Sequence, residues 1–90
     1  MKTIKKVEIT TVFVECVPDA MQENTLYISR VYETAIHLCL CGCKNKSVTP
    51  INPNGWTLTE KNGKVSLSPS ILNRFCGAHY ILTNNIANFV

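Results

Sequence analysis

The sequence has no apolar run approaching the roughly 20 residues that a transmembrane helix requires, and it has no internal repeat or low-complexity tract. A signal peptide needs an uninterrupted apolar stretch after its basic start, and Glu8, Thr10 and Thr11 interrupt the one that follows Lys6. We therefore expect a cytoplasmic protein without membrane association. Thiols stay reduced in that compartment, so the five cysteines favour metal binding or catalysis over disulfides.

A strong charge of one sign is also missing. Nine Lys and Arg against six Asp and Glu leave a formal net charge of +3, and the basic residues are interleaved with acidic ones. That pattern is typical of a solvated surface and not of a phosphate-binding stripe. Trp56 could stack on bases, but its alternation with Leu58 favours a place in the core. Nucleic-acid binding by a zinc ribbon is therefore a second alternative and not the favoured function.

Ninety residues make one domain, which buries only about 60–65% of its unfolded surface. Domains of this size often add a metal, a disulfide or a partner chain to their core. We predict a single β-rich, zinc-binding domain over residues 1–90. Its fold class is mostly β, a small antiparallel domain of seven or eight short strands with a zinc-ribbon-like Cys/His site and at most one short helical turn.

The clearest local signal is Asn62-Gly63, which predicts a two-residue hairpin turn with Leu58 opposite Leu67. Asn84-Asn85 predicts a second hairpin near the end of the chain. Ser68-Pro69 predicts the cap and first position of a helical turn over residues 69–75.

Residues 35–40 alternate in polarity, which predicts a strand. We expect one set to face the core: Ile36, Leu38 and Leu40. The other set would face a metal site: Ala35, His37 and Cys39.

Two clusters of metal-ligand residue types stand out in the sequence. Cys39, Cys41 and Cys43 fall within five residues, and Cys76 and His79 follow downstream with a common half-site spacing. Zinc takes four sulfur or nitrogen ligands in a tetrahedron, which two such pairs can supply once folding brings them together. The favoured set of ligands is Cys41, Cys43, Cys76 and His79. Four protein ligands predict one structural zinc ion with no open position for water.

Alternatives to that set remain open. In a flat strand the side chains of Cys41 and Cys43 would lie roughly 6.6 Å apart, and Gly42 can adopt a positive φ that lets the two sulfurs converge. Cys39 can replace either one, stand beside the site or simply pack. His37 is the next candidate, and we favour a hydrogen-bonded strand residue near the site.

Several segments carry a resemblance to a known family: Tyr27-Ile28-Ser29, Thr34-Ala35, His37-Leu38-Cys39, Cys41-Gly42-Cys43, Val48-Thr49-Pro50, Gly55-Trp56, Leu67-Ser68-Pro69-Ser70-Ile71, Cys76 and His79-Tyr80. In this order they resemble a family of small bacterial proteins with a Cys/His metal site, over roughly residues 25–82. Genes of that family often lie beside those of a ubiquitin-like protein, a ThiF-type activating enzyme, and a conjugating enzyme or peptidase. Members often have tryptophan where this chain has Arg74. The resemblance implies a metal site and a ubiquitin-like gene context, and no particular activity.

Three functions compete, and nucleic-acid binding by a zinc ribbon is the least favoured of them. We favour a zinc-stabilised, non-enzymatic interaction module whose partners are ubiquitin-like conjugation components, with exposed strand edges that can also pair two copies. The alternative is an enzyme or thiol carrier that uses Cys39 beside His37 and the metal. Ser68 and Ser70 are polar candidates too, but turn and cap chemistry explains both.

Overall fold

The structure is a computed structural model that describes residues 6–52 and 54–90. Within these residues the chain forms no helix and nine strands: β1 (Lys6–Glu8), β2 (Thr10–Phe13), β3 (Thr25–Ser29), β4 (Thr34–Leu38), β5 (Lys46–Pro50), β6 (Thr57–Lys61), β7 (Lys64–Asn73), β8 (Ala78–Thr83) and β9 (Ile86–Phe89). The mostly β fold class is confirmed. The predicted domain begins at residue 1, and residues 1–5 lie outside the described part of the chain.

The strands form two sheets that share one core. The larger sheet has the order β1-β9-β8-β7-β6, and the smaller has the order β2-β3-β4-β5. Both contribute to a single buried apolar cluster, which includes Ile28 and Ala35 from the smaller sheet and Leu67, Tyr80 and Leu82 from the larger. Burial of these side chains between two layers is the main source of stability in such a domain.

Both predicted hairpins are confirmed. Asn62 and Gly63 have φ angles of 54° and 78°, and Leu58 pairs with Leu67. Asn84 and Asn85 have φ angles of 50° and 63° and join β8 to β9. Each turn uses residue types that tolerate positive φ, as two-residue hairpin loops require.

β2 and β3 run parallel, although the sequence predicted antiparallel pairing. Residues 14–24 carry the chain back to the end from which β2 started, and they cover β3 on the way. Ser29 Oγ donates to the Glu15 carbonyl at 2.9 Å, and the Gln22 N–H donates to Tyr27 Oη at 2.9 Å. β3 is consequently buried on both faces.

The predicted orientation of β4 is wrong. Ala35 and His37 are buried at 0% and 3% exposure, whereas Ile36 and Leu38 are only half-buried. His37 faces inward because its ring is hydrogen-bonded to Tyr80 of the other sheet. A polar side chain with a buried partner can therefore occupy the core face, which polarity alone assigned to Ile36 and Leu38.

The predicted helical turn over residues 69–75 is also wrong, because β7 continues to Asn73 and residues 74–77 form a turn. Pairing with β8 explains the difference, since Ile71 to Asn73 lie opposite Tyr80 to Ala78. Between the pairs Leu67–Leu82 and Ile71–Tyr80, β7 advances four residues and β8 two. The extra length forms a bulge at residues 68–70, and such bulges re-aim side chains.

The turn at Gly63 gives a test of the hairpin. Gly63→Ala places a Cβ at a φ of 78° in open space, so only backbone strain opposes it. We expect the free energy of unfolding to fall by about 1–2 kcal/mol, measured by denaturant titration. Lys61→Ala, at an exposed position of the same hairpin, serves as the control and should stay within about 0.5 kcal/mol of the parent. Equal effects of the two substitutions would contradict the turn assignment.

Candidate functional site

Four cysteines converge at one end of the two sheets. Cys39, Cys41 and Cys43 follow β4, and Cys76 lies in the turn between β7 and β8. Their four Sγ atoms all lie within 4.8 Å of one another. The Sγ of Cys39 is 3.4 Å from that of Cys41 and 3.5 Å from that of Cys76.

Two backbone turns bring the sulfurs together. Gly42 has a φ of 96°, and its N–H donates to the Cys39 carbonyl at 3.2 Å, which folds the segment back on itself. In the second turn Gly77 has a φ of 77°, and its N–H donates to the Asn73 carbonyl at 2.7 Å. Positive φ favours glycine at both places, so each glycine directs a cysteine beside it into the cluster.

The spacing of the sulfurs fits one tetrahedral metal ion. A zinc–sulfur bond of about 2.3 Å places tetrahedral sulfurs about 3.8 Å apart, and Cys41 Sγ lies 3.6 Å from Cys76 Sγ. A disulfide needs a separation of about 2.05 Å, and all the cysteines in the described part of the chain are free. Four thiol donors suit a soft or borderline metal such as zinc.

Amide N–H groups around the cysteines favour the ionised thiolates that metal binding requires. Asn73 Nδ2 donates to Cys39 Sγ at 3.2 Å, and Asn45 Nδ2 donates to Cys43 Sγ at 3.4 Å. The backbone hydrogen bond from Asn45 lowers the pKa of the Cys43 thiol to about 7, whereas burial raises the pKa of Cys41 to about 12. A bound cation would allow neighbouring thiolates to coexist, because it offsets their mutual repulsion.

Asn73 joins the cysteine cluster to the core. Its Oδ1 accepts a hydrogen bond from Ser47 Oγ at 2.7 Å, and its Nδ2 donates to Tyr80 Oη at 2.9 Å as well as to Cys39. Tyr80 Oη thus accepts from Asn73, which leaves the hydroxyl proton to be donated to His37 Nε2 at 2.6 Å. His37 is therefore a core residue in this network, with Nδ1 buried and without a hydrogen-bond partner.

His79 lies outside the cysteine cluster. Its Nε2 is 2.7 Å from Ser70 Oγ, so the hydroxyl can donate to the ring. Ser70 stands in the β7 bulge, where the indole Nε1 of Trp56 donates to its carbonyl at 3.3 Å. The side chains of Ser70 and His79 are half-buried and accessible to solvent. A serine hydroxyl in contact with an imidazole nitrogen is the pairing that nucleophilic catalysis uses.

The structure brings together some of the residues singled out in the sequence and separates others. It gathers four of them in one cluster: Cys39, Cys41, Cys43 and Cys76. His79, which the sequence analysis placed among the ligands, contacts Ser70 instead. Turn chemistry explained Ser70 in the sequence. The alternation of Ser66, Ser68 and Ser70 was the signal that could have favoured a strand there.

Protein-family models identify a family to which this chain is similar. The model of the family described as "Bacterial ubiquitination-like system serine protease (BubE)" matches residues 13–90. The chain belongs to this family. The description of the BubE family fits the ubiquitin-like gene context that the sequence resemblance implied. Searches of curated proteins and of solved structures give no match.

Residues 6–52 and 54–90 contain no helix that is long and apolar enough to cross a bilayer.

The buried His37 makes stability depend on pH. Burial lowers the pKa of His37 from 6.5 to about 4, so the unfolded chain binds a proton more readily than the folded one. The contribution of His37 to the free energy of unfolding is then fully present above pH 6.5 and is lost as the pH falls toward 4. Titration of His37 alone should lower the free energy of unfolding by about 2 kcal/mol at pH 5.

His37→Gln removes the titrating ring and keeps a polar partner for Tyr80. We expect the variant to lose about 2 kcal/mol less than the parent between pH 7 and pH 5, measured by denaturant titration at each pH. The comparison of the two proteins cancels acid effects on the cysteines, which both share. Identical pH profiles would show that His37 titrates normally in the folded protein.

Proposed function

We propose that the protein is a zinc-stabilised serine peptidase of a bacterial ubiquitination-like system, with Ser70 as nucleophile and His79 as general base. The contact of 2.7 Å between Ser70 Oγ and His79 Nε2 carries this proposal. Membership of a family described as serine proteases supports it independently. The substrate class is a peptide or isopeptide bond of a protein in that system.

The proposed reaction follows from the Ser70–His79 contact. Ser70 Oγ attacks the scissile carbonyl carbon while its proton passes to His79 Nε2. The tetrahedral intermediate collapses when His79 returns that proton to the departing amine, which leaves an acyl ester on Ser70. Water then attacks the ester, with His79 again accepting and returning the proton, and the acid product leaves with free Ser70 restored.

The metal has a structural part in this proposal. Cys39, Cys41, Cys43 and Cys76 would hold one zinc ion, and four thiolates close its coordination sphere. The ion would supply a cross-link between the segment after β4 and the turn between β7 and β8. Since His79 follows Cys76 by three residues, that cross-link would hold the dyad strands in register.

The sequence pattern favoured a non-enzymatic module, and the Ser70–His79 contact is the observation that favours an enzyme instead. A cysteine enzyme based on Cys39 loses support because that sulfur lies among three others and accepts a hydrogen bond from Asn73. The proposed zinc stabilisation is kept from the earlier hypothesis. A protein partner from the ubiquitin-like system is also kept, and in this proposal that partner is the substrate.

Two other expectations remain predictions. Pairing of two copies through a strand edge would use an outer strand of either sheet, β1 or β6 in the larger and β2 or β5 in the smaller. Localisation in the cytoplasm fits a reduced cysteine cluster.

Substitution of the dyad tests the peptidase directly. A fluorophosphonate probe should label the protein at Ser70, because the serine displaces fluoride only when a base activates it. Ser70→Ala and His79→Ala should lower labelling and any proteolysis by at least about 10³-fold. Thr10→Ala, which removes an exposed hydroxyl on β2 of the smaller sheet, is the matched control. Unchanged labelling in Ser70→Ala would contradict the assignment of the nucleophile.

Measurement of metal content distinguishes a set of four cysteine ligands from the predicted set that includes His79. Elemental analysis of the purified protein should give about one equivalent of zinc. Cys76→Ser should lose the zinc and unfold at lower denaturant concentration. His79→Ala should retain about one equivalent, because its ring lies against Ser70. Loss of zinc from His79→Ala would restore the ligand set favoured from the sequence.

A further inference from the structure

The proposed dyad lies on an open face of the larger sheet. Ile71 and Tyr80 point into the core and are buried at 3% and 0% exposure. Side chains alternate along a strand, so His79, next to Tyr80, points to the opposite, outer face. Ser70 shares that face because its hydroxyl contacts the His79 ring. Ile81, which follows Tyr80, shares that face with His79. It is 41% exposed although β8 is the middle strand of five.

An open groove of about 380 Å³ starts at Ser70 and follows this face of β7 and β8. Its apolar lining residues are Leu67, Pro69, Ile81 and Leu82, of which the two leucines are buried. The remaining exposed lining is small and neutral, with hydroxyl groups from Ser66, Ser68 and Thr83. The groove therefore offers hydrogen-bonding groups without charge, beside one large apolar side chain.

We propose that this groove holds an extended segment of the substrate chain, and that Ile81 selects an apolar side chain two residues from the scissile bond. The inference rests on the proposed peptidase function. Ile81 lies two residues along β8 from His79, a distance of about 7 Å in a strand. An extended substrate covers the same distance in two residues, so a side chain at that position reaches Ile81 when the scissile carbonyl lies over Ser70.

A polypeptide is the occupant that the lining favours. Any chain whose carbonyl reaches Ser70 must cross this face, because the hydroxyl and the imidazole both point outward there. Neutral hydroxyl groups suit the backbone N–H and carbonyl groups of an extended peptide. Burial of the exposed part of Ile81 favours a partner side chain such as leucine or valine over a charged one.

The test uses the zinc-loaded full-length protein and a mixture of peptides made from a bacterial proteome. Cleavage products are identified by mass spectrometry, and products also formed by Ser70→Ala are subtracted. Aligned cleavage sites from the parent should be enriched in apolar residues two positions from the scissile bond, on one side of it. Ile81→Lys should reduce the ratio of apolar to acidic residues there by about tenfold. Ile81→Thr should reduce it without attracting acidic residues.

Val48→Lys is the control, because Val48 is 56% exposed on β5 of the other sheet. It should leave the preference unchanged. A change of preference with Ile81 is a readout that a loss of stability would not produce.

The outcomes separate the groove from the dyad. An unchanged preference in both Ile81 variants, or labelling of Ser70 by fluorophosphonate without any peptide cleavage, overturns the groove and leaves the proposed peptidase standing. Absence of both labelling and Ser70-dependent cleavage overturns the two together.

Discussion

The side-chain amide of Asn73 is the contact on which the rest of the site depends. It is 5% exposed, and its oxygen and nitrogen together make three hydrogen bonds, to Ser47, Tyr80 and Cys39. A buried amide with these bonds broken would cost several kcal/mol, so the smaller sheet, the larger sheet and the cysteine cluster are held in one relative position.

The strand that carries Asn73 also carries Ser70, and the two side chains lie on opposite faces of one hairpin. Asn73 and Tyr80 point inward to the network, while Ser70 and His79 point outward to solvent. The turn between the strands supplies Cys76. Displacement of the inner network would therefore shift the outer dyad, since both are set by the pairing of β7 with β8. A metal at the turn would restrain that pairing from its closed end.

Local turn chemistry made part of this structure predictable. Asn62-Gly63 and Asn84-Asn85 each determine a hairpin through the positive φ they tolerate. The cysteine clusters were recognisable because metal ligands must be close in space and are often close in sequence. The inward place of His37 was not predictable from polarity, because it depends on a hydroxyl 43 residues away. Asn73 gave no sequence signal at all, since its partners lie on three separate segments.

The position of His79 shows most clearly how sequence spacing and folded geometry can favour different metal ligands. A Cys-x-x-His pair can bind one metal when both residues belong to the same turn, but here the turn ends at Gly77 and β8 begins at Ala78. Once the chain is extended, successive side chains alternate between faces, and pairing of Leu72 with His79 fixes which face the ring takes. The turn therefore keeps Cys76 in the cluster, whereas the strand turns His79 toward Ser70. Cys39 is the fourth member of the cysteine cluster, so in the proposed site three closely spaced cysteines and Cys76 would hold the metal while His79 would act as the base.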